Sequence, residues 1–299
     1  MSRIRIGTRG SALALWQAEH VKTHLAALGH EVELRVITTT GDRLLDRRLE
    51  SVGGKGAFLK EIEDAMLAAE VDLAVHSLKD VPTVLPNGLS LCAILERADP
   101  RDALLSSGPR LAELPAGATV GTTSLRRQAL VRAVRADVVL ADLRGNVDTR
   151  IQRLREGRFD AILLAMAGLT RLGRAGEATE VLDPRQFVPA PGQGAIALEC
   201  RDGDAAVRDA VAPLDHAPTA RACAAERAFL EALGGGCNVP LGAHAFFAVD
   251  GELELVAFVA GVDREGLLRG ERRGSDPRGL GRAVAEDLRS RGADALLGR

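Results

Sequence analysis

The chain has 299 residues, more than one ordinary core accommodates, so two or three domains are expected and a peptide or disulfide miniprotein is excluded. Hydrophobic residues make up 46% and charged residues 27%, which excludes wholesale disorder, a collagen-like repeat and a coiled-coil rod. The 39 basic side chains meet 41 acidic ones for a formal charge of −2, so no global field draws nucleic acid.

There is no Tyr, one Trp and seven Phe, which leaves the stacking surfaces of single-strand and RNA binders nearly absent. Four of the basic residues are lysines (Lys22, Lys55, Lys60 and Lys79) and 35 are arginines. The arginine fork suits carboxylate and phosphate, although base-composition bias is enough to explain most of that number. The start alternates like a strand, and the longest apolar stretch, around residues 161–169, is too short to span a bilayer. A soluble cytoplasmic protein is expected, with no nucleic-acid or membrane partner. Cys92, Cys200, Cys223 and Cys237 lie far apart with no Cys-x-x-Cys, which argues against a zinc site or a disulfide framework.

Residues 3–7 read as a strand, followed by a turn at Gly7-Thr8-Arg9-Gly10-Ser11 and an apolar-periodic helix from Ala12 to Leu28 that stops at Gly29. A strand over 31–37, a helix over 58–69 and a short apolar strand over 71–75 continue the alternation. The pattern recurs with a strand end at 119–121, a helix over 124–134, a strand over 137–143, a helix over 147–156 and a strand over 159–165. Two α/β domains follow. Asp99-Pro100 and Pro189-Ala190-Pro191-Gly192 flank the second and read as hinge strands. A helix over 219–233, a hairpin of 243–249 with 252–259 joined at Asp250-Gly251, and a helix over 278–289 form a small α+β unit. The expected division is 1–97 with 194–214, then 98–193, then 215–299.

Ligands of open α/β sheets bind beyond the carboxyl ends of the strands. Three strand-to-helix junctions combine arginine with hydroxyl or amide side chains: Thr8-Arg9-Gly10-Ser11, Thr122-Thr123-Ser124-Leu125-Arg126-Arg127, and Arg144-Gly145-Asn146 with Arg150. Free amides and the dipole at a helix start favour anions, so the repetition points to a site for several anionic groups. Ser11, Ser124 and Asn146 also fit a plain capping role. In Val75-His76-Ser77-Leu78-Lys79-Asp80-Val81-Pro82 an apolar strand runs into a cation and a carboxylate. Lys79 could hold a substrate anion while Asp80 stabilises a developing cation and handles protons; a surface ion pair fits the spacing equally. His76 and Ser77 are a weak hydrolase signal without a Gly-x-Ser-x-Gly elbow.

Gly53-Gly54-Lys55-Gly56 lacks the earlier glycine and following Ser or Thr of a phosphate loop, and the segment 39–57 reads as a lid. Cys237 follows three glycines on a loop, where the thiol is either incidental or free to enter a cleft and bond covalently.

Together these segments resemble the porphobilinogen deaminase family over nearly the whole chain. The likeness rests on Thr8-Arg9-Gly10-Ser11 with Leu13 to Gln17, Gly53 to Gly56, His76 to Pro82, Ser124 to Gln128, Arg144 to Val147, Pro189 to Ala195 and Gly235-Gly236-Cys237, in shared order. The resemblance implies two type II periplasmic-binding-protein-like α/β domains joined by hinge strands, plus a small C-terminal α+β domain with the cysteine. It implies a monomeric transferase in which Cys237 holds a dipyrromethane cofactor by a thioether. Four porphobilinogens are then added head to tail, each losing ammonia to give an azafulvene that the growing chain attacks, before hydrolysis releases hydroxymethylbilane.

By position, the resemblance assigns cofactor contacts to Lys79, Asp80, Ser124, Arg126, Arg127, Arg144 and Gly145, and substrate contacts to Arg9, Ser11, Arg144, Arg150 and Arg171. Asp80 is the implied catalytic residue, and no metal is implied. Asp148 stands where the family commonly has glycine; helical spacing lets it face away from Asn146 and Arg150. Two other classes fit parts of the sequence: a non-catalytic anion-binding module, which leaves Cys237 unexplained, and a thiol hydrolase, which needs a histidine near Cys237.

Overall fold

A computed structural model describes residues 2–40, 59–234, 239–262 and 266–299. The expected lid over 39–57 therefore lies outside the described residues except for Thr39 and Thr40, and Gly53 to Gly56 and Cys237 lie outside them entirely. The chain separates into two compact units, residues 1–98 with 195–220 and residues 99–194 with 221–299.

The first unit is built on a five-stranded sheet in the order β2-β1-β3-β10-β4. Its strands are β1 (Arg3–Thr8), β2 (Glu31–Val36), β3 (Leu73–Ser77), β4 (Leu89–Ile94) and β10 (Ile196–Arg201). The first three run parallel, and β10 runs antiparallel between β3 and β4. Helix α1 (Ala12–Ala27) begins where Ser11 accepts the Ala14 amide and gives way to Gly29 in the left-handed region. Its buried Ala18, Val21 and Leu25 join Ile4, Ile6, Leu73, Val75, Ile196 and Leu198 in one core. Helix α2 (Lys60–Leu67) covers the other face through Ile62, Ala65 and Met66. The alternation of Arg3-Ile4-Arg5-Ile6 thus feeds one face at each second residue, the period a half-buried strand requires.

The second unit holds a sheet of the same build, ordered β7-β6-β8-β5-β9. Here β6 (Thr119–Gly121), β7 (Val139–Ala141) and β8 (Ala161–Ala165) are parallel, whereas β5 (Asp102–Ser106) runs antiparallel between β8 and β9 (Glu180–Val181). Helices α3 (Leu125–Val134), α4 (Val147–Arg155) and α5 (Met166–Arg171) follow β6, β7 and β8. The strand expected over 137–143 shortens to three residues because only these pair with β6.

Past β10 come α6 (Ala205–Val211) and α7 (Ala217–Ala232). A three-stranded antiparallel sheet follows, of β11 (Leu241–Phe247), β12 (Leu253–Ala260) and β13 (Leu267–Gly274), and then α8 (Pro277–Ser290). The hairpin at Asp250-Gly251 is present as expected. Every residue of β12 is buried: Leu253, Leu255, Ala257 and Val259 face α7 and α8, while Val256, Phe258 and Ala260 join the core of the second α/β sheet. Two α/β sheets of one design and a small C-terminal three-stranded domain match the fold class expected from the sequence. Among the described residues no helix is long and apolar enough to cross a membrane.

Candidate active site

In the first sheet β1 and β3 are parallel neighbours, with Ile6 opposite Leu73 and Gly7 opposite Ala74. Their carboxyl ends therefore deliver residues 8–11 and 77–80 to one edge. Thr8 is buried, its hydroxyl donating to Ala14 O at 3.2 Å, and Gln17 Nε2 donates to Ser77 Oγ at 2.8 Å. After β3 the chain makes one tight turn, Leu78–Asp80. Leu78 anchors it, fully buried and donating its amide to Ala195 O at 3.0 Å. Lys79 is thereby left half-buried and Asp80 exposed. Arg9 and Ser11 are half-buried at the neighbouring junction, where Ser11 serves as the helix cap.

His76 and Ser77 do not form a hydrolytic pair. They alternate to opposite faces of β3: Ser77 meets Gln17, and His76 Nε2 lies 2.9 Å from Glu199 Oε2 on β10, both residues buried. Glu63 of α2 is buried beside them, its carboxyl raised above the usual range by burial first and by Glu199 second, with His76 pulling the other way.

In the second sheet three parallel strands end at one edge, so β6, β7 and β8 bring residues 122–127, 144–150 and 166–171 to it. Ser124 caps α3 by accepting the Arg127 amide at 3.4 Å, and Asn146 caps α4 by accepting the Thr149 amide at 2.8 Å. Capping is thus what the Ser124 and Asn146 oxygens do within the protein. Gly145 has φ +105°, and a Cβ built there would lie 2.8 Å from Thr149 Cγ2. Neither the backbone nor the space admits a side chain. Two arginines brace the same turn: Arg150 Nε donates to Gly145 O at 2.8 Å and Arg153 Nη1 to Arg144 O at 2.9 Å. Asp148 is exposed and pairs with Arg174 Nη2 at 3.1 Å.

Arg126 and Arg127 are not surface cations. They are 5% and 6% exposed and converge on Asp102, which is fully buried at the start of β5. Arg127 donates from Nε (3.1 Å) and Nη2 (2.7 Å) to Asp102 Oδ1, and from Nη1 to Leu163 O at 2.9 Å. Arg126 donates from Nη1 to Val188 O at 2.7 Å. Its Nη2 stands 2.7 Å from Asp102 Oδ2, an ion-pair contact at an angle that leaves Oδ2 without a directed hydrogen bond. Gln193 Nε2 completes the cluster, donating to Asp102 Oδ1 at 3.0 Å and to Pro100 O at 2.6 Å. Burial pushes the Asp102 carboxyl up, yet Arg126 and then Arg127 hold it at about 2. Burial lowers Arg126, which Asp102 partly offsets and Arg127 reinforces. Arg171, buried at the end of α5, donates to Gly194 O at 2.7 Å, and burial lowers it to about 10.

Sequence reasoning did not single out Asp102, Gln193, Glu199 or Glu226. Glu226 of α7 is fully buried and accepts the Gly192 amide at 2.6 Å and the Ala245 amide at 2.8 Å. The available signal was a carboxylate inside or opening an apolar run, as in Asp102-Ala-Leu-Leu and Ile196-Ala-Leu-Glu199-Cys, because a carboxylate in a buried strand requires a partner.

Each of the two α/β sheets thus carries cations at the carboxyl ends of its parallel strands, and the first adds an exposed carboxylate at Asp80. Residues 4–209 match the family model "Porphobilinogen deaminase, dipyromethane cofactor binding domain" and residues 220–290 match "Porphobilinogen deaminase, C-terminal domain". A porphobilinogen deaminase from Syntrophobacter fumaroxidans is 52% identical, over 98% of this chain and 96% of its own. One from Roseiflexus castenholzii is 52% identical over 98% of both. The chain belongs to the porphobilinogen deaminase family. It is a transferase of porphyrin biosynthesis that polymerises porphobilinogen to hydroxymethylbilane, with a domain that binds dipyrromethane. The anion-binding-module and thiol-hydrolase alternatives fall with that finding. A periplasmic substrate-binding protein from Coxiella burnetii aligns with TM-score 0.45 at 14% identity, over 75% of this chain and 96% of that one, a likeness too remote to carry argument.

Proposed function

We propose that dipyrromethane is attached to this chain covalently, by a thioether to Cys237. The residues suit a polyanionic group of this kind. The observation that carries the reading is charge: Arg126 and Arg127 share one carboxylate, so the cluster keeps a net positive charge, buried at the first turn of α3. An unbalanced buried cation is costly, and a carboxylate arriving there removes the imbalance while meeting amides of a helix start. Arg126, Arg127, Ser124, Arg144 and Gly145 hold the cofactor with Lys79 and Asp80, the glycine by letting the backbone approach closely. Arg9, Ser11, Arg144, Arg150 and Arg171 take the acetate and propionate groups of incoming substrate.

When bound, dipyrromethane supplies the pyrrole carbon from which the product chain starts. Asp80 is the catalytic residue. Its carboxylate, held out by the turn that Leu78 anchors, stabilises the positive charge that develops on porphobilinogen as ammonia leaves, and it accepts the proton that the reacting pyrrole carbon sheds. Lys79 beside it binds a carboxylate of the cofactor. The same reading makes the enzyme a cytoplasmic monomer with three domains, Cys237 in the last.

The test is the intact mass of the denatured protein with peptide mapping. An excess equal to two linked pyrroles on the Cys237 peptide, lost in Cys237→Ser, is expected. A chain that stays unmodified after incubation with porphobilinogen would overturn covalent attachment.

A further inference from the structure

The Asp102 cluster joins four parts of the second unit in one buried knot. Asp102 opens β5, and because β5 runs antiparallel to β8, Asp102 lies opposite Ala165 at the edge where β8 ends. Arg126 and Arg127 come from the first turn of α3. Gln193 comes from the Pro189 to Gly194 segment, and its second bond reaches Pro100 O in the other connecting segment.

The two arginines are held differently. Arg127 donates from all three of its nitrogens, two to Asp102 and one to the β8 backbone, so its plane is fixed. Arg126 is fixed at Nη1 by Val188 O, whereas Nη2 rests against Asp102 Oδ2 by charge rather than by a directed bond. Arg127 and Gln193 both bond Oδ1, fixing the carboxylate plane and with it the place of Oδ2. The orientation of Arg126 thus depends on an acid that is fully buried and that Arg127 and Gln193 orient.

We propose that Asp102, braced by Gln193, is a positioning residue that sets the Arg126 guanidinium for the cofactor carboxylate and so places the primer for elongation. This rests on the reading that Arg126 holds cofactor. A displacement of about 1 Å at a reacting group can cost roughly 100-fold in rate. Loss of Asp102 is therefore expected to act on kcat of loaded enzyme, while KM, set by the substrate arginines, stays near wild type.

Asp102→Asn, Gln193→Met and Arg126→Gln are compared with wild type in three measurements. These are the mass-spectrometric fraction carrying dipyrromethane after incubation with excess porphobilinogen, the thermal midpoint of the apoprotein, and kcat and KM per loaded molecule. Asp102→Asn should load more slowly and, once loaded, lose about 10- to 100-fold in kcat with KM within about 3-fold. Gln193→Met keeps both ion pairs and should lose about 3- to 10-fold in kcat with a nearly unchanged midpoint. If both variants load and turn over like wild type per loaded molecule while Arg126→Gln is impaired, Asp102 only stabilises the fold and the inference is overturned. If Arg126→Gln itself loads and turns over normally, the reading of Arg126 as a cofactor ligand fails and the inference with it. Should Asp102→Asn not fold, Gln193→Met decides.

Discussion

Gly145→Ala tests how the Arg144 turn is built. The residue sits at φ +105°, where an L side chain costs about 1–2 kcal/mol. The new Cβ would also lie 2.8 Å from Thr149 Cγ2 and 2.9 Å from Thr149 Cβ, an overpacking that typically costs about 1–3 kcal/mol. Together the substitution should destabilise by about 2–5 kcal/mol. The clash is with the Thr149 side chain, whereas the capping bond to Asn146 uses the Thr149 amide. Thr149→Ala therefore removes the steric part and keeps the cap. Urea unfolding of the apoprotein, followed by far-ultraviolet circular dichroism for wild type, both single variants and the double variant, gives a double-mutant cycle. The double variant should recover about 1–3 kcal/mol of the Gly145→Ala loss and retain the backbone part. A Gly145→Ala loss below about 0.5 kcal/mol, or strictly additive effects, would refute the argument. Cofactor loading should follow stability only in part, because the shifted turn also moves Arg144.

Three other outcomes follow. Burial pushes the Asp72 carboxyl up, but Arg5, through side chain and backbone, and Arg201 hold it at about 2. The folded value lies below the unfolded one, so its stabilisation, about 2 kcal/mol, is present above pH ~4 and fades as pH falls toward about 2. Asp72→Asn should lose that amount at pH 7 and match wild type near pH 2, read by fluorescence of Trp16, the chain's one tryptophan, which lies in the same unit; a gap that persists in acid would contradict the assignment. Asp80→Ala should retain attached dipyrromethane by intact mass yet lose at least about 100-fold in kcat, and near-normal turnover would remove Asp80 from the chemistry. Glu226→Gln sets an amide donor against one of two buried backbone donors, a loss of about 1–3 kcal/mol in chemical unfolding; an unchanged midpoint would mean that the Gly192 or Ala245 amide finds another acceptor.

The βα alternation was legible because each helix start carries its own chemistry, Ser11, Ser124 and Asn146 ahead of apolar-periodic runs, and because β1 alternates by face. Strands buried on both faces show no alternation, so β5 and β10 could be read only as apolar runs, with no sign that they run antiparallel between neighbours. Strand β13 was missed for the opposite reason: in Leu267-Leu-Arg-Gly-Glu-Arg-Arg-Gly274 the charged residues of an exposed edge obscure any apolar pattern. At the candidate site, the residues read as ligand contacts stand out as cations and a carboxylate at junctions. Those that hold other residues, Asp102, Gln193, Glu199 and Glu226, acquire meaning only from partners far along the chain, as with His76 and Glu199, 123 positions apart.

The placement of β10 has a consequence for synthesis. Strands β1 to β4 are complete when residue 94 is made, yet among the described strands β4 pairs only with β10, and β10 ends at Arg201. Until then the ribosome-borne chain exposes the open edges of β3 and β4 and leaves His76 without its glutamate. All five strands of the second sheet lie between 102 and 181, so it can close while the first is still waiting. The first sheet is therefore the later of the two to acquire all its strands, and its unpaired edges through those hundred residues are where a holding chaperone has most to protect.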